Sequence, residues 1–173
     1  ANIADYFIVD SESTRGDVID LLSIDPNRVE TVNLAPRSAF TKWSDELTRE
    51  YRAQRQLPDR FFLYLGTIEP RKNVKGLLDA YARLAPGIRR SHPLVLAGGW
   101  GWRSDEIESR VRSETRYLGY VPDEELVGLC NAATALVYPS FHEGFGLPPL
   151  EAMACGTAVI ASERGSLAET AAP

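Results

Sequence analysis

Short apolar runs alternate with amphipathic stretches along most of the chain. Tyr6-Phe7-Ile8-Val9 and Val29-Glu30-Thr31-Val32-Asn33-Leu34 read as strands. Between them Val18, Leu21 and Leu22 fall at helical spacing, with Ser13 as the expected N-cap. From Ala35 to about Asp59 the pattern weakens between Pro36 and Pro58, as in a connector holding one helix near 45–56. Phe61-Phe62-Leu63-Tyr64-Leu65 is an unbroken apolar strand that stops at Gly66. Val74, Leu77, Leu78, Tyr81 and Leu84 then trace one helical face behind Asn73 as cap. Leu94-Val95-Leu96-Ala97 is the next strand, and Ser104 caps a polar helix to about Arg112. A strand near 115–118, a helix opening at Asp123 as N-cap, and the strand Ala135-Leu136-Val137-Tyr138 follow. Pro149 to Cys155 reads as a short helix, Ala158-Val159-Ile160-Ala161 as a strand, and Ser166 as the start of a helix cut off at Pro173.

Strands buried on both faces read as continuous apolar runs, and here each is followed by a helix. That order predicts an α/β fold, a Rossmann-like doubly wound parallel sheet with helices on both faces. No repeat of solenoid period interrupts it.

Composition narrows the partners. With 44% hydrophobic and 25% charged residues over 173 positions, the chain is neither a disordered tail nor a disulfide scaffold. A net charge of −5 speaks against nucleic acid. Cys130 and Cys155 sit in apolar stretches and read as buried thiols of a reducing, cytoplasmic setting. His92 and His142 are too few and too scattered for a metal cage, so no metal is expected. No run approaches the roughly 20 apolar residues of a membrane span. No leader is visible and the first residue is Ala1, which reads as a fragment or a trimmed chain.

In doubly wound sheets ligands meet the loops after the strands. Four such loops carry unusual residues. In Gly66-Thr67-Ile68-Glu69-Pro70-Arg71-Lys72-Asn73 a basic pair beside a helix start suits phosphate, though two surface cations on a solvated loop are the simpler reading of that segment alone. Gly98-Gly99-Trp100-Gly101-Trp102-Arg103-Ser104 superficially matches a dinucleotide fingerprint and equally suits the glycine-rich wall of another nucleotide pocket. Tyr120 and Val121, read as the end of a strand, stand where a base edge would lie, or in an ordinary turn. The sharpest loop runs from Pro139 to Glu151, with Gly144 and Gly146 able to turn N–H groups toward an anion and Pro148-Pro149 stiffening a helix start. Glu143 and Glu151, the latter expected in the first helical turn, are placed to face one pocket. Acids beside amide donors suit a ligand with both hydroxyls and phosphates, such as a nucleotide sugar.

The segment FHEGFGLPPLEAMACGTAVIASERGSLAE resembles the hallmark of family 4 retaining glycosyltransferases, which have two Rossmann-like domains in the GT-B arrangement. YLGTIEPRKNVKGLLDAY and YLGYVPDEELVGLCNAATALVYPS are similar to that family's phosphate-binding unit and the stretch after it. The resemblance implies that residues 1–35 end an N-terminal acceptor domain, 36–59 connect, and 60–173 form a truncated donor domain. It also implies roles. Glu143 lies against the donor sugar; Gly144, Phe145, Gly146 and Leu147 present amides to sugar and diphosphate; Glu151 binds the ribose hydroxyls. Lys72, with Arg71, meets the diphosphate, Gly66, Thr67, Gly98 and Gly99 line the cleft, and Tyr120 and Val121 line the base. Where many members carry Arg, this chain has Thr67, and Arg71 stands in for that charge. The GTxxPRKN variant occurs in mannosyltransferases of bacterial surface polysaccharides, which extends the resemblance to a GDP-mannose donor.

A metal-independent hexosyltransferase needing no cofactor follows, its donor a substrate and its acceptor a glycan or lipid-linked sugar met by the other domain. Peripheral membrane association of the full-length enzyme fits a lipid-linked acceptor. A non-catalytic nucleotide-binding module and an NAD-dependent dehydrogenase using Gly99 and Gly101 are the rival classes. With the acceptor half expected to be elsewhere, the 173-residue chain should show little transfer. A donor-turnover assay checks this, and full-length rates from the chain alone would contradict it.

Overall fold

In the computed structural model, which describes residues 4–171, two parallel sheets form. β1 (Phe7–Val9) and β2 (Val29–Thr31) pair with each other, Phe7 opposite Val29, with α1 (Glu12–Leu22) between them in sequence. The connector contributes α2 (Asp45–Gln54). Then come β3 (Phe62–Leu65), α3 (Val74–Ala82), α4 (Pro86–Ser91), β4 (Leu94–Ala97), α5 (Asp105–Glu114) and β5 (Arg116–Tyr117). The chain continues through α6 (Asp123–Ala132), β6 (Ala135–Tyr138), α7 (Leu147–Ala154), β7 (Ala158–Ala161) and α8 (Leu167–Thr170). The five strands β3 to β7 lie in the order β5-β4-β3-β6-β7 with every pair parallel. This is the doubly wound sheet that the apolar runs predict, and its order reverses between β3 and β6.

The unbroken runs are explained by the two cores. Leu63 and Leu65 of β3, with Val95 and Ala97 of β4, pack on one face beside Leu129, Cys130 and Ala152. Tyr64, Leu94 and Leu96 point to the other face, among Val74, Leu77, Leu78 and Val111. Successive residues of these two central strands therefore meet an apolar layer on either face, whereas the edge strand β7 leaves Ala158 and Ile160 exposed. Both cysteines are free and buried. The connector is docked rather than loose. The Tyr51 ring of α2 fills the space that a side chain on Gly128 of α6 would need, and its hydroxyl donates to the Glu125 carbonyl at 3.2 Å.

Several boundaries differ from the sequence reading. Ser11, not Ser13, caps α1, in extended backbone with its oxygen accepting from Thr14 N–H. Asn73 adopts the left-handed conformation that asparagine tolerates, and its side chain donates to the Pro139 carbonyl instead of capping α3. Gly76 leaves room for it. Ser104 holds the cap position of α5 as expected, but its hydroxyl donates to the Gly101 carbonyl instead of capping, and Pro122 holds the cap position expected for Asp123. β2 stops at Thr31, and α4 was not anticipated because six residues are too few to show a period.

β3 and β4 approach so closely at their ends that Gly98, at φ 150°, has the Gly66 carbonyl oxygen where its Cβ would stand. Gly98→Ala is expected to cost about 2 kcal/mol or more. Gly99→Ala, with nothing within 4 Å of the new Cβ, should cost less than about 1 kcal/mol. Denaturant midpoints of the two variants check this, and equal midpoints would contradict it.

Candidate active site at the topological switch

β3 and β6 separate at the point where strand order reverses, and the two loops that leave them are tied together. Phe141 N–H donates to the Arg71 carbonyl at 2.9 Å, and the Asn73 amide reaches the Pro139 carbonyl at 3.1 Å. A 3₁₀ turn, Pro70–Lys72, then aims Arg71 and Lys72 at the second loop.

Lys72 is the centre of the arrangement. Its ammonium donates to Glu143 Oε1 at 2.6 Å and to the Tyr138 hydroxyl at 2.8 Å. Lys72 is 9% exposed and Glu143 6%, so both charges have left bulk water and require each other. Arg71 donates to Glu143 Oε2 and to the His142 carbonyl, both at 2.8 Å, and to Glu69 Oε1 at 2.8 Å. Burial alone would raise the Glu143 carboxyl, but the hydrogen bonds and charges of Lys72 and Arg71 outweigh it and hold the group below its ordinary range. Burial, and then the Glu143 charge, pushes the Tyr138 phenol up, so its hydroxyl keeps its proton.

The loop backbone is held from behind. Ser166 Oγ donates to the Glu143 carbonyl, Ser11 and Thr14 hydroxyls to the Gly144 carbonyl, and Thr170 to the Phe145 carbonyl, at 2.6 to 3.0 Å. In a trans peptide the N–H points opposite the carbonyl. The Gly144, Phe145 and Gly146 N–H groups therefore face away from those hydroxyls, and none makes a backbone hydrogen bond among the described residues. Gly146, at φ 94°, turns the chain into α7. Glu169 accepts from the Glu12 and Ser13 N–H groups at 2.8 Å each, tying α8 to the start of α1.

Two hollows meet here. One of about 420 Å³ is lined by Asp10, Leu34, Glu69, Arg71, Lys72, Tyr138, Glu143 and the 145–148 turn. The other, about 220 Å³, is lined by Gly98, Gly99, Tyr120, Val121, Asp123 and Glu151 among others. Gly66, Thr67 and Pro148 belong to both, so the pair forms one cleft of a size suited to a small organic ligand. A further hollow of about 370 Å³, around Lys42 and Thr157, sits at the opposite ends of the strands.

The structure thus gathers Arg71, Lys72, Glu143, Phe145, Gly146 and Leu147 in the larger hollow and Gly98, Gly99, Tyr120, Val121 and Glu151 in the smaller. Gly144 lines neither; it faces Asp10 and Thr14. Glu143 and Glu151 do not share a hollow. Glu151 is the fifth residue of α7, one turn beyond the expected place, and Pro148 stands between the two acids. Tyr120 and Val121 lie past the strand, which ends at Tyr117, because Gly119 at φ 73° turns the chain; Tyr120 is 77% exposed. The dinucleotide reading falls on Gly101. A Cβ added there would stand 2.7 Å from Thr67 Cγ2, so that glycine serves to let one loop close on the other.

Sequence reasoning missed Tyr138, Glu69, Asp10 and the hydroxyl group of four. Only Tyr138 had a local signal: a phenol as last residue of the strand at the switch.

The described fold has known counterparts. The family model for glycosyl transferases group 1 matches residues 48–173. The chain is 44% identical over 165 residues to O-antigen chain mannosyltransferase B of Escherichia coli, covering 92% of this chain and 43% of that protein. It is 36% identical to the serotype-specific mannosyltransferase WbdA of the same species, over 96% of this chain and 22% of the relative. Anabaena Alr3699/HepE, solved with UDP and glucose, superposes with a TM-score of 0.82 at 21% identity, over 96% of this chain and 46% of that one. The chain thus spans less than half the length of these proteins.

Glu143 has a depressed carboxyl, so its stabilising pairs are complete above the ordinary carboxylate range and are lost as pH falls through its folded value. Glu143→Gln should therefore destabilise the chain at neutral pH, and the gap to the native melting temperature should close in acid below about pH 4. Melting curves across pH check this; a gap independent of pH would contradict it.

Proposed function

The chain belongs to the glycosyl transferases of group 1, and from that premise we propose that its cleft holds a nucleotide-diphosphate sugar. The reaction is transfer of a hexosyl unit, here mannosyl, to a glycan or lipid-linked acceptor with retention at the anomeric carbon. One observation carries the reading: a buried ammonium, Lys72, is fixed beside Glu143 at the mouth of a glycine-turned helix start. The mannosyltransferase names of the relatives support the sugar, and GDP is the base we assign with it.

Transfer breaks the bond from the anomeric carbon to the β-phosphate oxygen and forms one to the acceptor oxygen. The acceptor's proton leaves with the diphosphate. Negative charge grows on the departing phosphate, and Lys72, Arg71 and the N–H groups of Phe145 and Gly146 stabilise it more as it grows. These cations take the role a metal fills elsewhere, so we propose a metal-independent reaction without a cofactor. Glu143 keeps the ammonium in place and offers its carboxylate to sugar hydroxyls. Glu151, across Pro148, faces the ribose, and Tyr120 and Val121 flank the base.

We assign residues 1–35 to an acceptor-side domain, 36–59 to its connector and 60–173 to the donor domain. Asp10 and Leu34 then bring the acceptor side into the donor hollow. A lipid-linked acceptor would draw the longer enzyme to a membrane surface, and the two free thiols suit the cytoplasm.

Lys72→Ala should weaken GDP binding by roughly tenfold to a hundredfold while leaving guanosine nearly unaffected, since only the former offers phosphate oxygens. Calorimetry with both ligands decides it. Equal losses for the two would remove Lys72 from the diphosphate.

A further inference from the structure

Arg37 belongs to the connector, between β2 and α2, yet its guanidinium ends on Glu151 and Asp123, two acids that line the smaller hollow. Nε donates to Glu151 Oε1 at 2.7 Å and NH1 to Asp123 Oδ2 at 2.6 Å. The fork lies 4.8 Å from the centre of the Phe40 ring, itself buried in the core beneath, so an anchored aromatic face helps to set its plane. Glu151 is held by one oxygen only. Its side chain is 5% exposed, and Oε2 makes no hydrogen bond among the described residues while the residue lines the hollow with Tyr120, Val121 and Pro148.

We propose that Arg37 is a positioning residue for ribose recognition: by gripping Oε1 it orients the Glu151 carboxylate so that Oε2 faces the hollow as a fixed acceptor for a ribose hydroxyl. The proposal rests on the nucleotide-sugar reading of the cleft. A lone carboxylate rotates about its last bond and presents its lone pairs in many directions. A charge-assisted bond to a planar guanidinium that is itself braced by Asp123 and Phe40 removes that freedom before the ligand arrives. The same contact offsets the negative charge of Glu151, which would otherwise oppose an anionic nucleotide beside it. The connector thereby takes part in reading the nucleotide.

A purely structural role, pinning the connector to α6 and α7, predicts a different outcome. The Arg37 side chain is 43% exposed, so replacing it opens no cavity in the core. Binding of GDP and 2′-deoxy-GDP, and of UDP and 2′-deoxy-UDP, is measured by calorimetry on the native chain, Arg37→Ala, Arg37→Lys and Glu151→Ala, with melting curves for each. The native chain should prefer the ribonucleotide of the better-bound pair by roughly tenfold. Arg37→Ala should reduce that preference to about threefold or less, mostly by weakening the ribonucleotide, and Arg37→Lys, charged but without the fork, should fall between. If Arg37→Ala does not fold, Arg37→Lys carries the comparison by itself. Equal weakening of both members of a pair, or an unchanged ratio, would overturn the proposal while leaving the cleft reading intact. A native chain with no ribose preference, or one that survives in Glu151→Ala, would instead bring down the reading of the cleft and the proposal with it.

Discussion

The Lys72–Glu143 pair is the constraint to which the rest of the site conforms. An ammonium and a carboxylate at 2.6 Å, both nearly out of water, stabilise the fold only when further hydrogen bonds surround the pair. Tyr138 accepts from Lys72, and Arg71 satisfies the far oxygen of Glu143. Meeting those demands requires the loops from β3 and β6 to converge. Convergence is possible because these two strands are neighbours whose connections leave in opposite directions.

Around that pair the cleft divides its chemistry. Arg71 and Lys72 gather at the larger hollow with Phe145 and Gly146 of the loop. The smaller hollow holds carbon surface, glycine backbone and two acids, Asp123 and Glu151. Asp10, Leu34, Ser11 and Thr14, from the segment that forms the separate two-stranded sheet, either line the larger hollow or hold the loop behind it. The Glu169 carboxylate at the start of α1 fastens the same segment to α8. Motion of that segment would thus be felt at the Gly144 carbonyl and at the N–H that follows it.

The sheet was legible in the sequence because its signal is local. Leu94–Ala97, Ala135–Tyr138 and Ala158–Ala161 are continuous apolar runs, and each forms a strand with those bounds. Caps were less legible. Ser13 reads as the cap of α1, but Ser11 takes that position and the Ser13 N–H goes to Glu169, more than 150 residues away. Gly66, Gly98, Gly99, Gly146 and Pro148 fall along the cleft, since glycines and prolines report backbone conformations a loop must adopt. What they could not report is which acid meets which base. Glu143 finds Lys72 and Glu151 finds Arg37 only through the tertiary fold, and Pro148 separates two acids that the spacing alone places together.

The central claim is that Glu143 serves the ligand through Lys72, holding the ammonium where a diphosphate will find it. A double-mutant cycle on GDP binding with Lys72→Met, Glu143→Gln and the double variant isolates that dependence. Strong coupling is expected, at least about 1 kcal/mol, with Glu143→Gln costing much less once Lys72 is gone. Additive losses would mean that the two groups act on the nucleotide independently and would contradict it.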